Sequence, residues 1–551
     1  MAIIKKLLII PILGLSFYFN FSGIDWGLPS KERSLLVFGS MKEIEKLTPI
    51  LIKTREDVYK VYDKWKIYQP SDNEVFINSM RGFLLQTEEP DSAKTYGAIA
   101  RINPEKLDFN PNFFTYGGAY LYSIGFLLFL AKSFGILNIS DLSSCFLNPD
   151  EVGKIHIIGR SLGAISNIGS TYIIYLIGSS YFSTTIGLLS ALFFALSPTM
   201  ILFSHISKPH IFATFLGILG IFFALRIIEK PKVKNYFLAS FFIGLSMGAS
   251  FVNFLLLPLP LIACFLKKIF KFKHLFLPLF SIFIFFSTNP YSILSFEEFY
   301  NRTIVFHATT GGNELDSKMR KGGYVVPEIE KVSSFFNELT ENITPFAIPL
   351  FLLGLYCFFK FSSLFKKLVF FSLCLLTPGV MCIGYLRIVL LFLPISLLVL
   401  ASSIELFSGK KGIIIKLLFL LNLVFLIHNS FLLNLDFKGN NFISAGRWIN
   451  KNIPKQSLIL LVDKYTPPCS CPPFSLPKYK LKKIGEDFED KEGYIIIVER
   501  GNVWEKEDEI KKSFKKLTLV FKRSSYISSA IFLKRNIEFP NPGIKIYRFS
   551  L

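Results

Sequence analysis

Asp72 and Glu74, in the stretch YQPSDNEVFINSMRGFLLQ, place two carboxylates at the head of an amphipathic run. A carboxylate held against a low-dielectric surface titrates higher than one in water and can take the proton of an attacking hydroxyl. The same residues also start a helix. Ser71 with Glu74 three positions on is a capping box, and Val75, Phe76, Ile77, Met80, Phe83 and Leu84 supply an apolar face. The two readings are compatible, because a helix start is a rigid mount for a base. Asp150 and Glu151, in NPDE, offer the same chemistry where capping of the next helix accounts for them.

The chain has 14 Arg against 47 Lys, so an Arg beside an apolar run stands out. Arg160, in IHIIGRSLGAISNIGS, and Arg387, in CIGYLRIVLLFLP, are both of this kind. An arginine there needs a partner or a polar cavity, and its planar fork suits a phosphate; snorkelling to the headgroups is the plainer alternative. Between two apolar segments lies SHISKPH, a bend carrying His205, Lys208 and His210 where Gly, Asn and Asp would be usual. Guanidiniums near a carboxylate suggest an anionic, lipid-linked phosphate meeting a nucleophile, and polar capping of the bend is the alternative for its histidines.

The elements holding these residues cross a membrane. Of 551 residues, 51% are hydrophobic and 61 are Phe, and the mean hydropathy is +0.46. Runs such as LLIIPILGLSFYFNF and IVLLFLPISLLVLASSI recur, and about 20 apolar residues cross a bilayer core. The fold class is a mostly α, polytopic membrane protein. The +21 net charge does not indicate nucleic acid, since the lysines cluster in short loops in a positive-inside pattern. Spans are predicted near 7–22, 156–178, 183–203, 211–228, 236–250, 251–266, 274–289, 344–360, 367–384, 387–405 and 413–432. With Lys5 and Lys6 inside, this count also puts EKPKVK, KKIFKFK, FSSLFKK and FSGKKG inside. Counting the apolar segment 120–137 as a span would invert every later loop. It is therefore expected on the outer surface as an interfacial or re-entrant helix.

This divides the chain into a membrane domain, 1–436, with external loops 23–155 and 290–343, and an external tail, 437–551. The tail reads as a small α/β domain: an amphipathic helix, NFISAGRWINKNIP, then SLILLV, GYIIIVE, LTLVFK, SAIFLK and GIKIYRF as strands. The first segment lacks a small-residue cleavage site and reads as an uncleaved anchor. Cys469 and Cys471, in PPCSCPP, are too close for an unstrained mutual disulfide and too few for a zinc site alone. The want of a paired-cysteine framework favours a bacterial inner membrane.

The run GRSLGAISNIGSTYIIYLIG, with TIGLLSALFFALSPTMILFSHISKPHIFATFLGILGIFFALRI after it, resembles the membrane core of GT-C glycosyltransferases. The likeness is to those related to protein O-mannosyltransferases and the lipid A aminoarabinose transferase. FNPNFFTYGGAYLYSIG, STNPYSILSFEEFYNRTIVF, RIVLLFLPISLLVLA, SAGRWINKNIPKQSLIL and PGIKIYRF fit in the same order, so the resemblance covers essentially the whole chain. It implies a GT-C fold, a polyprenyl-phosphate sugar donor and inverting transfer to a glycan, lipid or protein acceptor on the external face. It also implies that 120–137 is a juxtamembrane helix. Asp72 falls where the family has the Asp of an Asp-Glu pair, although here Asn73 occupies the Glu place. Arg160 and Arg387 fall where relatives carry arginines associated with the lipid phosphate. SHISKPH aligns with a bend reading roughly Ser-His-x-x-x-Pro-Asp, which implies that it faces the active-site cavity. His210 stands where many relatives have a second Asp, and imidazole does not supply a carboxylate's charge at neutral pH.

The implied scheme has the acceptor hydroxyl attack the anomeric carbon, Asp72 take its proton with Glu74 in support, and polyprenyl phosphate leave held by Arg160, Arg387 and Lys208. His205 and His210 line the acceptor side. No cofactor is called for. A polyprenyl phosphate is already a good leaving group, so no divalent metal is demanded, although pyrophosphate donors in related enzymes use one. The partners are the lipid-linked sugar, the acceptor and membrane lipids, with no nucleic acid. The rival class is a lipid or polysaccharide transporter. Against it stand the absent inverted hydropathy repeat, the long external loop and the soluble tail.

Overall fold

The computed structural model describes residues 7–61, 72–89, 91–300, 344–360, 363–383, 390–406, 411–461, 468–499, 507, 510–514, 516–530 and 540–550. At 54–61, 72–76, 379–383 and 411 it describes the backbone alone. The elements that bear on the site are α1 (Ile9–Phe21), α2 (Lys31–Phe38), α3 (Asp72–Leu85), α4 (Ser92–Ile99), α5 (Gly118–Ser133), α6 (Pro149–Tyr181), α7 (Thr184–Ala195), α8 (Pro198–Ser204), α9 (Pro209–Glu229), α10 (Val233–Ala249), α11 (Lys411–Phe437) and α12 (Asn441–Asn452).

The chain is mostly helical. By length and composition α9 and Gly412–Phe437 can cross a membrane, and α7 with α8, bent by 56° at a break, make a third span if taken as one. Shorter apolar helices, among them α1, Phe272–Thr288, Ala347–Lys360 and Phe392–Leu406, lie in other predicted spans. The 33-residue α6 covers the span expected at 156–178, but a buried stripe of Gly159, Gly163, Ser166, Asn167, Ser170 and Thr171 lowers its hydropathy. Small residues let helices approach closely: a Cβ on Gly178 of α6 would lie 2.4 Å from Gly187 Cα of α7.

Contacts sort the interhelical turns into two ends. At one end the Tyr181 hydroxyl donates to Glu229 at 3.1 Å and its ring stacks on Phe365 at 4.6 Å; Tyr236 stacks on His274 at 5.2 Å, and Lys366 pairs with Glu405 at 2.8 Å. At the other end the Gly117 amide donates to Ala249 O at 3.1 Å, and the Gly118 amide to Asn289 Oδ1 at 2.6 Å. The start of α5 is thereby fixed at the ends of α10 and of the helix Phe276–Thr288. A Cβ on Gly117 would lie 1.9 Å from Gly248 O, so glycine is required for this docking. Farther along the segment Phe126, Phe129 and Phe134 are exposed.

The tail opens with the expected amphipathic helix, α12, and then forms a five-stranded sheet in the order β2-β1-β3-β5-β4. Its strands are β1 (Leu458–Leu461), β2 (Lys480–Lys483), β3 (Glu492–Glu499), β4 (Lys516–Arg523) and β5 (Gly543–Ser550). β1 pairs parallel with β2 and β3; β5 pairs antiparallel with β3 and β4. Four of the predicted strands coincide with these. The fifth, SAIFLK, lies mostly outside the described residues, which leave out 531–539; its first residue, Ser529, ends a 3-10 turn, Tyr526–Ser529. β2 was not predicted, because its sequence KLKK reads as polar loop; it is an edge strand, where lysines keep other chains from pairing. One hydrophobic core joins the tail to the first loop, with Val37 and Phe38 of α2 and Met80 and Phe83 of α3 packed with Phe442, Ile449, Ile459 and Ile496.

Candidate active site

The bend 204–210 rests on the small-residue stripe of α6. A Cβ at Gly163 would come within 2.9 Å of Ser204 O, and one at Gly159 within 2.2 Å of the Tyr96 hydroxyl and 3.0 Å of Ser207 Oγ. The bend's polar residues have protein partners. Thr95 of α4 donates to Ser207 O at 2.7 Å, and Tyr96 Oη lies 2.8 Å from Ser207 Oγ. Lys208 is buried and ion-paired with Asp91 at 2.5 Å and Glu89 at 3.7 Å. Glu89 also accepts the Asp91 and Ser92 amides, each at 2.8 Å, and so caps α4. Burial alone would raise the Asp91 carboxyl, but the Lys208 and Lys94 ammoniums outweigh it and hold Asp91 well below the ordinary carboxylate range. With its charge matched by these carboxylates, Lys208 braces α4 against the bend.

His205 is buried, its Nδ1 facing Ile201 O at 2.8 Å and its Nε2 facing Ser22 O at 3.2 Å. Its ring stacks on Phe437 with centroids 3.9 Å apart. It therefore staples α1, α8 and α11 together. His210, on the first turn of α9, meets the ring edges of Tyr116 and Phe203 at 6.5 and 6.1 Å.

Arg160 is fully buried under the loop that follows α1. Its Nη1 donates to Ile24 O at 2.7 Å and Trp26 O at 2.8 Å, and its guanidinium lies 5.0 Å from the Trp26 ring centroid. Its Nε and Nη2 find no hydrogen-bond partner among the described residues. Arg33, just as buried, is the contrast. Its Nε donates to Phe83 O, its Nη1 to Gly27 O, and its Nη2 to both Phe83 O and Gln86 O. Arg33 joins structure to structure, whereas Arg160 keeps its Nε and Nη2 without an acceptor among the described residues.

Asp72 and Glu74 stand on the first turn of α3, and their side chains are outside the described residues, as is Arg387 entirely. The structure thus brings Arg160, His205 and Lys208 together around one bend and leaves the proposed base and second arginine unplaced. It adds residues absent from the sequence reading: Glu89, Asp91, Thr95 and Tyr96, all in QTEEPDSAKTY, and His156, whose ring meets Tyr96 edge-on at 4.3 Å. The available signal was a lysine in a tight bend, which needs a counter-charge, and three carboxylates within four residues. Among the described residues no three His, Cys, Asp or Glu side chains converge as a metal-binding group. Beside Tyr96 and His156 opens a cavity of about 1910 Å³, with both rings on its wall and Phe129, Lys132, Leu294 and Phe296 among its other lining.

Comparison with known proteins likens one segment of the chain to a family. Residues 156–291, which run from α6 through the bend to the end of the helix Phe276–Thr288, match the family described as dolichyl-phosphate-mannose-protein mannosyltransferase. The matched segment is about a quarter of the chain, and the match likens it to GT-C glycosyltransferases. No curated protein matches the chain. Among solved structures it is similar to the archaeal oligosaccharyltransferase AglB from Archaeoglobus fulgidus in complex with an inhibitory peptide and a dolichol-phosphate. The TM-score is 0.41 and the identity 11%, over 71% of this chain and 61% of that one, so this chain spans about three fifths of its length. It is also similar to ArnT from Cupriavidus metallidurans in the apo state, with TM-score 0.41 and 8% identity over 83% and 93% of the two chains.

Proposed function

We propose that this protein is an integral-membrane glycosyltransferase that moves a sugar from a polyprenyl phosphate to an acceptor hydroxyl on the extracytoplasmic face, with inversion. The observation that carries the reading is Arg160: a buried guanidinium whose Nε and Nη2 find no acceptor among the described residues, inside the segment matched to a lipid-phosphate-sugar-dependent family. A phosphate oxygen would satisfy both donors and neutralise the charge. The acceptor oxygen attacks the anomeric carbon from the face opposite the phosphate. As that C–O bond forms, the bond from carbon to phosphate oxygen breaks, and its electron pair leaves with the phosphate. Asp72 takes the acceptor proton, with Glu74 in support. Arg387 is the second phosphate ligand. Lys208 passes from ligand to brace, since Asp91 and Glu89 already match its charge. His210 and the 1910 Å³ cavity lie on the acceptor side.

The external placement rests on the lysine-rich loops: the turns that contact one another at the Tyr181 end are those the lysine distribution assigns to the cytoplasm. The deciding experiment is mass spectrometry of surface glycans and lipids from cells with and without the protein. A glycan or lipid that loses one sugar in its absence supports the reading. An unchanged profile, together with no transfer from a polyprenyl-phosphate sugar by the purified protein, overturns it.

A further inference from the structure

Asp436 sits in the last turn of α11, where a negative charge opposes the helix dipole, and it is fully buried. Four donors offset that cost, and all come from the tail. Its Oδ1 accepts the Tyr526 amide at 2.9 Å and Asn541 Nδ2 at 3.0 Å; its Oδ2 accepts the Ile527 amide at 2.7 Å and the Ser525 hydroxyl. Asn541 in turn accepts the Asn441 amide at 2.7 Å, so both ends of the tail are tied at one carboxylate.

The next residue faces the site. Phe437 carries the His205 ring at 3.9 Å and the Trp26 ring at 5.8 Å. A Cβ on Gly23, whose φ is +75°, would lie 2.5 Å from Phe437 Cβ, so loop 22–26 is pressed onto this side chain. That same loop supplies the Ile24 and Trp26 carbonyls that hold Arg160. We propose that Asp436 is a positioning residue: it seats the tail and fixes Phe437 as the platform from which loop 22–26 aims Arg160 at the donor phosphate. The tail then serves donor binding without touching the donor. This rests on the phosphate role of Arg160 proposed above.

The test uses the full chain in lipid nanodiscs, with a short-chain polyprenyl phosphate as the probe. Asp436→Ala should raise hydrogen exchange at the Tyr526 and Ile527 amides and also over residues 22–26. It should weaken probe binding about tenfold to a hundredfold, the upper figure being what a misplacement of about 1 Å can cost. In transfer assays the loss should appear in both donor KM and kcat, because Arg160 also meets the charge that develops on the leaving phosphate. Phe437→Leu should reproduce the weak binding, and Phe437→Tyr, which keeps the ring, should restore it. If Asp436→Ala does not fold, the Phe437 pair and Asn541→Ala decide the question. Exchange that rises in the tail while loop 22–26 and probe affinity stay unchanged overturns the inference. Normal probe binding by Arg160→Ala would overturn the phosphate role instead, and exchange over 22–26 then judges the linkage from Asp436 by itself.

Discussion

A buried arginine can be read two ways, and Arg160 and Arg33 in one molecule separate them. Both are buried, yet only Arg160 has N–H groups uncommitted to the described protein. Arg160→Ala should therefore lower transfer about a hundredfold to a thousandfold, as loss of an oriented donor to a developing anion does. Arg160→Lys should recover part of the charge effect but not the fork. Transfer kinetics on purified variants check both, and normal turnover by the alanine variant puts the phosphate elsewhere. The base is tested in the same assay. Asp72→Asn should cost about a hundredfold to ten-thousandfold in rate, while the helix loses at most about 1 kcal/mol because Asn suits a helix start. Asp150→Asn is the matched control, since Asp150 accepts the Lys31 amide at 2.9 Å and ties α2 to α6. Activity retained by Asp72→Asn and lost by Asp150→Asn would mean the wrong carboxylate had been chosen. Arg160 and His205 could be singled out in the sequence because arginine and histidine are rare beside apolar runs. Their division of labour could not, because it depends on which carbonyls fold over them.

At the scale of elements, the polar bend is explained by α4. A lysine in a seven-residue turn reads as a ligand for a phosphate, but the segment leading into α4 supplies carboxylates for it from more than a hundred residues away in the chain. That pairing is invisible to local patterns, as is the edge strand β2, whose lysines hide its strand character. The amphipathic α12 and the apolar strands of the tail were legible because their periodicity is local. The pair makes a stability prediction with a defined sign. Asp91 has its folded-state titration depressed, so its contribution is present above the unfolded carboxylate range, near pH 4, and is lost as pH falls through the lower folded value. Asp91→Asn should cost about 3 kcal/mol at pH 7, since it leaves a buried ammonium short of a partner and Asp91 itself keeps a rim of solvent. In thermal unfolding the gap between wild type and Asp91→Asn should stay constant from pH 8 to about 5 and narrow below about 4. A gap that widens on acidification would show that the pair does not hold α4 to the bend.

For the whole molecule the question is which way the site faces, and one helix decides it. α5 is apolar, and if it crossed the bilayer every later turn would change sides. Its first residues are docked at the ends of α10 and of the helix Phe276–Thr288, the same end at which loop 22–26, the bend and the tail meet. The opposite end gathers Tyr181, Glu229, Phe365, Lys366 and Glu405, close to the lysine-rich turns. Lysine clusters stay on the cytoplasmic side during insertion, so the site end is external if α5 lies along the surface. Its exposed Phe126, Phe129 and Phe134 give such a helix side chains to sink into the headgroup boundary. Reporter fusions after residue 145, beyond α5, and after residue 440, beyond α11, should both register outside the cytoplasm. The two positions are coupled through the span count. A cytoplasmic signal at 145 with an external one at 440 would make α5 a true span and require one fewer crossing between them. Cytoplasmic signals at both would turn Arg160 and the bend inward, and a donor exposed only on the outer leaflet could not then reach them.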